Sequence, residues 1–542
     1  MTAGRAVTAA GGRVVSVQSA LGMLVADVSD TAVLTGRAGI AQVSADASVK
    51  AQSLGTDSAG QPGSMSSVVD AIGARTVWQK GITGKGIDVA VIDTGVVPVS
   101  PLLSAGHLIV GPDFSLDSQV DELRQLDGYG HGTHMAGIIA GREGPAATGT
   151  AYAADTANFY GVAPDARIVS VKVGDHAGAV DVSQMIAAID WVVQNYNKYG
   201  LNIRVLNLSY GTTASQDPLA DPLAYAAEVA VRSGIVVVAA AGNNGSSTPG
   251  LINPAFNPNV IAVGAADTKG TASVSDDSVA TFSAVAGGTY APTRRPDVVA
   301  PGKSIVSLSV PGGTIAVANP SALVGSAGIK GSGTSQAAAV VSGAVALILQ
   351  DRPWLVSMHV KDLLSRTARP LTDASKDIQG AGEIDVAAAI AGSPGWSAEV
   401  IGNGKGTLEA ARGGVHLVDS NIALTGEKDI LGGTWDSAKM AIAAQTSGAW
   451  TSDMTTFNGN LWIGAGWTDA SVGYSTWTGR KWLGQSWTGR KWLGSVWSGE
   501  SWEGKTTSSK SWTDSGWAGS DWGSEVTLST LASKIWTTSA WK

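Results

Sequence analysis

Cysteine is absent from all 542 residues, so disulfides, thiolate metal sites and cysteine nucleophiles are excluded together, and stability must come from packing or bound ions. Positive charge is scarce as well: 36 Lys and Arg stand against 44 Asp and Glu, for a net charge of -8, with no long basic run. Release of counterions from phosphates requires a basic face, which excludes nucleic acid as a partner. Long apolar runs are missing too. The longest, Ile235 to Ala241 and Ala337 to Leu349, fall short of the roughly 18 to 20 residues that cross a bilayer, and they fit buried elements instead. The opening residues MTAGRAVTAAGGRVVSV lack the apolar core of a secretory signal, so either export uses another segment or the protein stays inside.

What is present is a chain with 44% apolar and only 15% charged residues, in keeping with a globular interior rather than a disordered polyelectrolyte. Its length predicts one large domain with appendages. Residues 1–50 alternate short apolar runs with small polar residues, as a small α+β module does. Residues 51–67, AQSLGTDSAGQPGSMSS, have the Gly and Ser content of a linker and are the expected processing region. From 68 to 392 continuous Val/Ile runs (IDVAVID, RIVSVKV, IRVLNLS, GIVVVAAAG) alternate with helical stretches. Strands covered on both faces read this way, which predicts a doubly wound parallel α/β sheet. Residues 393–460 form a connecting region, and from 461 to 542 Trp recurs, with WTGRKWLG at 477–484 repeated unchanged at 487–494.

Parallel sheets carry function at the carboxyl ends of their strands. Asp93 directly follows the apolar run Val89 to Ile92 and precedes a Thr-Gly turn, where it serves equally as a turn residue. His131 lies in GYGHGTHMAGIIAG, where small residues allow a helix to start close to the sheet. The pair His131 and His134 also raises a metal-ligand reading, but HGTH lacks the Glu of a zinc protease motif; His131 is read as a base and His134 as packing. Ser335, in GSGTSQAAAVVSGAVALILQ, is placed at a helix N-terminus, where free N–H groups favour developing negative charge, although a simple N-cap reads the same. Asn243 follows a strand and AAAG; its amide can donate to an oxyanion beside the Ser335 N–H, or merely make a turn.

The conjunction in order of DTG, HGTHMAG, VLNLSYG, AAAGN and GTSQAA decides between these readings. Over about residues 70–392 the chain resembles the subtilisin-like (subtilase) serine peptidases. The resemblance implies Asp93 as the orienting acid, His131 as general base, Ser335 as nucleophile and Asn243 as oxyanion donor. It implies Ser209, Tyr210 and Gly211, with Gly178, Ala179 and Val180 opposite and Gly242 nearby, as the segments that bind an extended protein or peptide substrate. No cofactor is needed for this chemistry. The stretch 141–160 is longer and richer in Ala and Thr than the family's calcium loop, so calcium enters only as a structural ion. Two positions depart from the family's usual pattern: Gln336 replaces a Met after the nucleophile, and Ala339 replaces a Pro, restoring a backbone donor near the helix start.

By the same resemblance, residues 1–50 look like the second half of an inhibitory propeptide, which implies a self-processing zymogen, an intramolecular inhibitor and a secreted or cell-surface protein. The Trp repeats are expected as short β arches with stacked rings, some beside Arg480-Lys481 and Arg490-Lys491, serving cell-wall polysaccharide binding, self-association or substrate docking. An inactive binding scaffold and a chain whose principal function is the repeat are the competing readings. Intact Asp93, His131, Ser335 and Asn243 weigh against the first.

Overall fold

The computed structural model describes residues 2–18, 23–28, 34 and 63–447, apart from 100–106, 120–122, 124, 144–146, 373, 420–421 and 431–433, together with 460–462 and 467–469. Two compact units are present, Met1–Gln52 and Ser53–Lys542. In the first, helix α1 (Thr2–Ala9) is followed by an antiparallel pair, β1 (Arg13–Gln18) and β2 (Met23–Asp27). The remainder of the propeptide-like module, residues 51–62 of the expected processing region, and nearly all of the Trp repeats lie outside the described residues.

The second unit begins earlier than its polar sequence implied. Gly63 O accepts from Val306 N at 2.8 Å, and Ser64 caps helix α2 (Met65–Ala71) by accepting from Ser67 N at 3.2 Å. Residues 64–67 are therefore folded and buried rather than linker. The chain continues through α3 (Ala74–Trp78), β3 (Asp88–Asp93), β4 (Leu108–Asp113), α4 (His131–Ala140), α5 (Gly149–Ala154), β5 (Arg167–Lys172), α6 (Val182–Asn195), β6 (Ile203–Leu208), α7 (Pro222–Arg232), β7 (Val236–Ala240), β8 (Ile261–Asp267), β9 (Ser278–Val279) and β10 (Val298–Pro301). A small antiparallel sheet of β11 (Ile305–Leu308), β12 (Leu323–Val324) and β13 (Gly328–Gly331) encloses α8 (Thr314–Ala318) in sequence. Helices α9 (Thr334–Asp351), α10 (Ser357–Thr367), α11 (Lys376–Gln379) and α12 (Val386–Ala391) follow.

The main sheet has the order β10-β8-β7-β6-β3-β5-β4, all neighbours parallel, with β9 antiparallel on β8. Both faces are covered, as the continuous apolar strands require. Ala90 and Ile92 of β3 join one core with α6 and α7, whereas Val89 and Val91 join the other with α4 and α9. Chain order reverses between β3 and β6, which lie side by side, so their carboxyl ends open onto a crevice.

Residues past 393 do more than connect. The segment holding α13 (Leu408–Arg412), β14 (Val418–Asp419), β15 (Ile422–Ala423) and α14 (Ser437–Ser447) places Leu408, Val415, Leu417, Ile430, Trp435 and Met440 in the core shared with α6 and α7. Beyond it, β16 (Asn460–Trp462) pairs antiparallel with β17 (Trp467–Asp469) at the start of the repeat.

Candidate active site

Asp93 is the last residue of β3 and His131 the first of α4. The approach of helix to strand is so close that a Cβ on Gly132 would stand 2.1 Å from Gly95 O and 3.0 Å from Asp93 Cβ. Gly130, at φ 106°, turns the chain into the helix without a side-chain cap. Asp127 takes over the orphan amides there: its carboxylate accepts from Gly130 N at 2.6 Å and from Thr133 N at 2.8 Å. It also accepts from Thr94 Oγ1 at 2.7 Å, and Thr94 Oγ1 in turn accepts from Gly132 N at 3.0 Å. The strand end and the helix start are thereby tied together. His131 Nδ1 lies 2.8 Å from Asp93 Oδ1 and 3.0 Å from Oδ2, with both side chains fully buried. Against a carboxylate, Nδ1 is the donor, which leaves Nε2 as the basic nitrogen of a neutral ring.

His134 follows a different course. Burial and the neighbouring His131 push its pKa down to about 3, so it is a neutral packing ring at ordinary pH. Among the described residues no group of three or more His, Asp or Glu gathers as a metal site.

Ser335 is the second residue of α9. Its hydroxyl donates to Ser209 O at 3.2 Å, at the carboxyl end of β6. Asn243 is oriented by Thr334, whose N and Oγ1 donate to Asn243 Oδ1 at 2.7 and 2.8 Å, while Gly242 N donates to Thr334 Oγ1 at 3.1 Å. That pairing turns the Asn243 amide nitrogen away from Thr334. A Cβ on Gly333 would lie 3.3 Å from Asn243 Nδ2, 3.7 Å from Ser335 N and 2.9 Å from Gln336 Oε1. One small volume, kept open by the absence of a side chain on Gly333, is thus within reach of two N–H donors. Gln336 borders it. Ala339 sits in an unbroken α9 and is buried.

The two segments expected to hold substrate meet at this crevice. Tyr210 Oη donates to Gly178 O at 3.4 Å, and the Tyr210 ring stands edge-on to the His131 ring with centroids 6.1 Å apart. Gly178 adopts φ +82°, and a Cβ there would press 3.0 Å from the Tyr129 ring, so glycine is required. Ala179 N donates to Asp175 Oδ1 at 2.8 Å, and Val180 is buried beside it. Gly211 passes so close to the neighbouring loop that a Cβ would meet Asn253 O at 2.5 Å.

The sequence reading passed over a buried charged network behind Asp93. Lys172 ends β5, pairs with Asp117 Oδ2 at 2.9 Å and donates to Thr94 O at 2.9 Å. His176 Nδ1 bonds Asp117 Oδ1 at 2.9 Å. Burial alone would lower the His176 pKa, but the hydrogen bond to Asp117 and the charges of Asp175 and Asp117 outweigh it and hold it up at about 9. A Lys at the end of the strand RIVSVK, continuing the apolar run of Val169 and Val171, was the available signal. In the stretch 141–160 Arg142 and Asp155 are each held by several partners. Arg142 donates to Asp165 at 2.6 Å, and Asp155 accepts from Ala157 N, Asn158 Nδ2 and Tyr160 Oη at 2.9, 2.7 and 2.9 Å.

Residues 84–382, more than half of the chain, match the model of the subtilase family. The chain belongs to that family. It is 35% identical over 334 residues to the serine protease AprX of Bacillus subtilis (strain 168), covering 60% of this chain and 72% of that protein. To a subtilisin of Bacillus pumilus it is 35% identical over 323 residues, covering 59% of this chain and 97% of that protein. A crystal structure of a cold adapted subtilisin-like serine proteinase matches with a TM-score of 0.40 at 30% identity, covering 54% of this chain and 86% of the other. The subtilase is accordingly a subtilisin-like serine peptidase, a hydrolase acting on proteins or peptides.

Proposed function

We propose that this subtilase is a serine endopeptidase that works through Asp93, His131 and Ser335 with an acyl-enzyme intermediate. The buried Asp93–His131 hydrogen bond at the mouth of the crevice carries the reading. Asp93 holds the imidazole in the tautomer that leaves Nε2 basic. The Ser335 hydroxyl turns from the Ser209 carbonyl to the imidazole, gives it the proton and attacks the scissile carbonyl carbon. The resulting oxyanion lies in the volume beside Gly333, where the Asn243 amide and the Ser335 N–H donate to it. The tetrahedral species collapses when His131 returns the proton to the leaving amine, and water repeats the sequence on the acyl-enzyme. Ser209 to Gly211 on one side and Gly178 to Val180 on the other pair with the substrate as an added strand.

The chain is made as a zymogen whose N-terminal unit acts as an intramolecular inhibitor until self-cleavage, and the enzyme works outside the cell or at its surface. The folded, capped start of α2 supports a cut before Gly63, in the part 51–62 of the processing region. The Trp repeats serve in attachment to cell-wall polysaccharide, in self-association or in substrate docking. A fluorophosphonate reagent followed by peptide mapping tests the reaction: label on Ser335, absent in Ser335→Ala, is expected. Label elsewhere, or none on a folded chain, refutes it.

A further inference from the structure

Helix α13 lies beyond the stretch that matches the family, yet it touches the continuations of both substrate-pairing segments. On one side, Arg412 closes the helix and is fully buried. Its Nε donates to Asp181 Oδ2 at 2.7 Å and its Nη2 to Asp181 Oδ1 at 3.3 Å. Asp181 immediately follows Val180 and caps α6. The remaining guanidinium hydrogens go to Gly426 O, at 2.7 Å, to Lys428 O and to Glu409 Oε2, at 3.4 Å, so the fork is locked in one orientation. Ile430 N adds a bond to Ser183 Oγ at 2.9 Å in the first turn of α6.

On the other side, Thr212 follows Gly211 directly, and its hydroxyl donates to Ala411 O. Ser215 N donates to Ala410 O at 2.8 Å, and Gln216 exchanges two hydrogen bonds of 2.9 Å with the Thr407 backbone. Gly413 passes so near that a Cβ would stand 1.9 Å from Thr213 O. A single rigid turn of helix therefore spans the bases of both segments.

We propose that Arg412 is a positioning residue for substrate: with α13 it sets the spacing between the segments 178–180 and 209–211, and so selects extended peptides. The proposal rests on those segments pairing with substrate. Removing the guanidinium leaves Asp181 buried without its counter-charge and frees the Gly178–Val180 side to shift. The bonds of Arg412 and its helix go to Asp181, Thr212, Ser215 and Gln216, at the bases of the two segments, so the change is expected in binding along the extended cleft.

The test uses the full chain as wild type, Arg412→Met and Thr212→Val. Competent sites are first counted with a fluorophosphonate, and kcat and KM are then measured per labelled site for a single-residue ester and for an extended hexapeptide. Arg412→Met is expected to raise KM for the hexapeptide at least five-fold, with the ester KM and both kcat values within two-fold of wild type. Thr212→Val is expected to shift the same constant by a smaller factor. Equal changes for the two substrates, or none at full labelling, overturn the proposal. Should Arg412→Met fail to label, Thr212→Val decides alone. A wild-type chain that labels normally but cleaves no extended peptide removes the underlying reading instead.

Discussion

At the residue scale, hydrogen bonding fixes how the polar groups at the crevice are turned. Asn243 has its oxygen occupied twice by Thr334, so its amide nitrogen is the part turned to the crevice. On the proposed role as oxyanion donor, replacing it with Ala is expected to lower kcat by about 10²- to 10³-fold with little change in KM, since such a donor acts on charge that appears only in the transition state. Gly333→Ala supplies a sharper check. Its extended backbone, φ 163°, is open to any residue, so stability should hold while the methyl enters the space between the two donors and activity falls. Steady-state kinetics beside a thermal melt separate the two effects. Lys172 makes the opposite kind of prediction. Converting it to Met removes one of the two cations on buried Asp117, and because His176 still pairs with that carboxylate the expected cost in urea denaturation is about 1–3 kcal/mol, below the usual penalty for a fully uncompensated buried charge.

At the element scale, β3, α4, β6 and α9 follow from local rules: apolar runs covered on both faces, glycine where strand and helix nearly touch, and small residues along α9. The segment after 393 obeyed no such rule, because its apolar residues are sparse and its helices short. Only contact with α6 and α7 gives it a core. Its buried Leu408, Leu417, Ile430, Trp435 and Met440 are each worth about 1.5–3 kcal/mol, against a total stability of about 5–15 kcal/mol for a typical domain. Truncation after 395 is therefore expected to yield insoluble or inactive protein, whereas truncation after 447 keeps a folded peptidase. Soluble expression and fluorophosphonate labelling of the two products distinguish these outcomes.

At the scale of the whole molecule, stability depends on pH through a buried acid that the proposed chemistry does not use. Glu383, held by backbone bonds to Arg369, has its pKa raised by burial and by its hydrogen bond to Asp277. Folded chain keeps a proton there that unfolded chain has lost. The stabilisation is complete below the ordinary carboxylate range and declines as pH rises toward the raised value. Glu383→Gln keeps the uncharged shape, so its melting temperature should fall less than that of wild type between weakly acidic and alkaline pH. Sequence alone determined the sheet and its two covered faces, and it pointed to Asp93, His131, Ser335 and Asn243 as candidates, because strand periodicity, glycine placement and ordered motifs are local properties of the chain. Only the tertiary structure decided which buried charges meet, that Asp127 and Lys172 brace the end of β3, and that α13 underlies both walls of the cleft. Those contacts join residues up to more than two hundred positions apart, and no local pattern records which distant partner balances a buried charge.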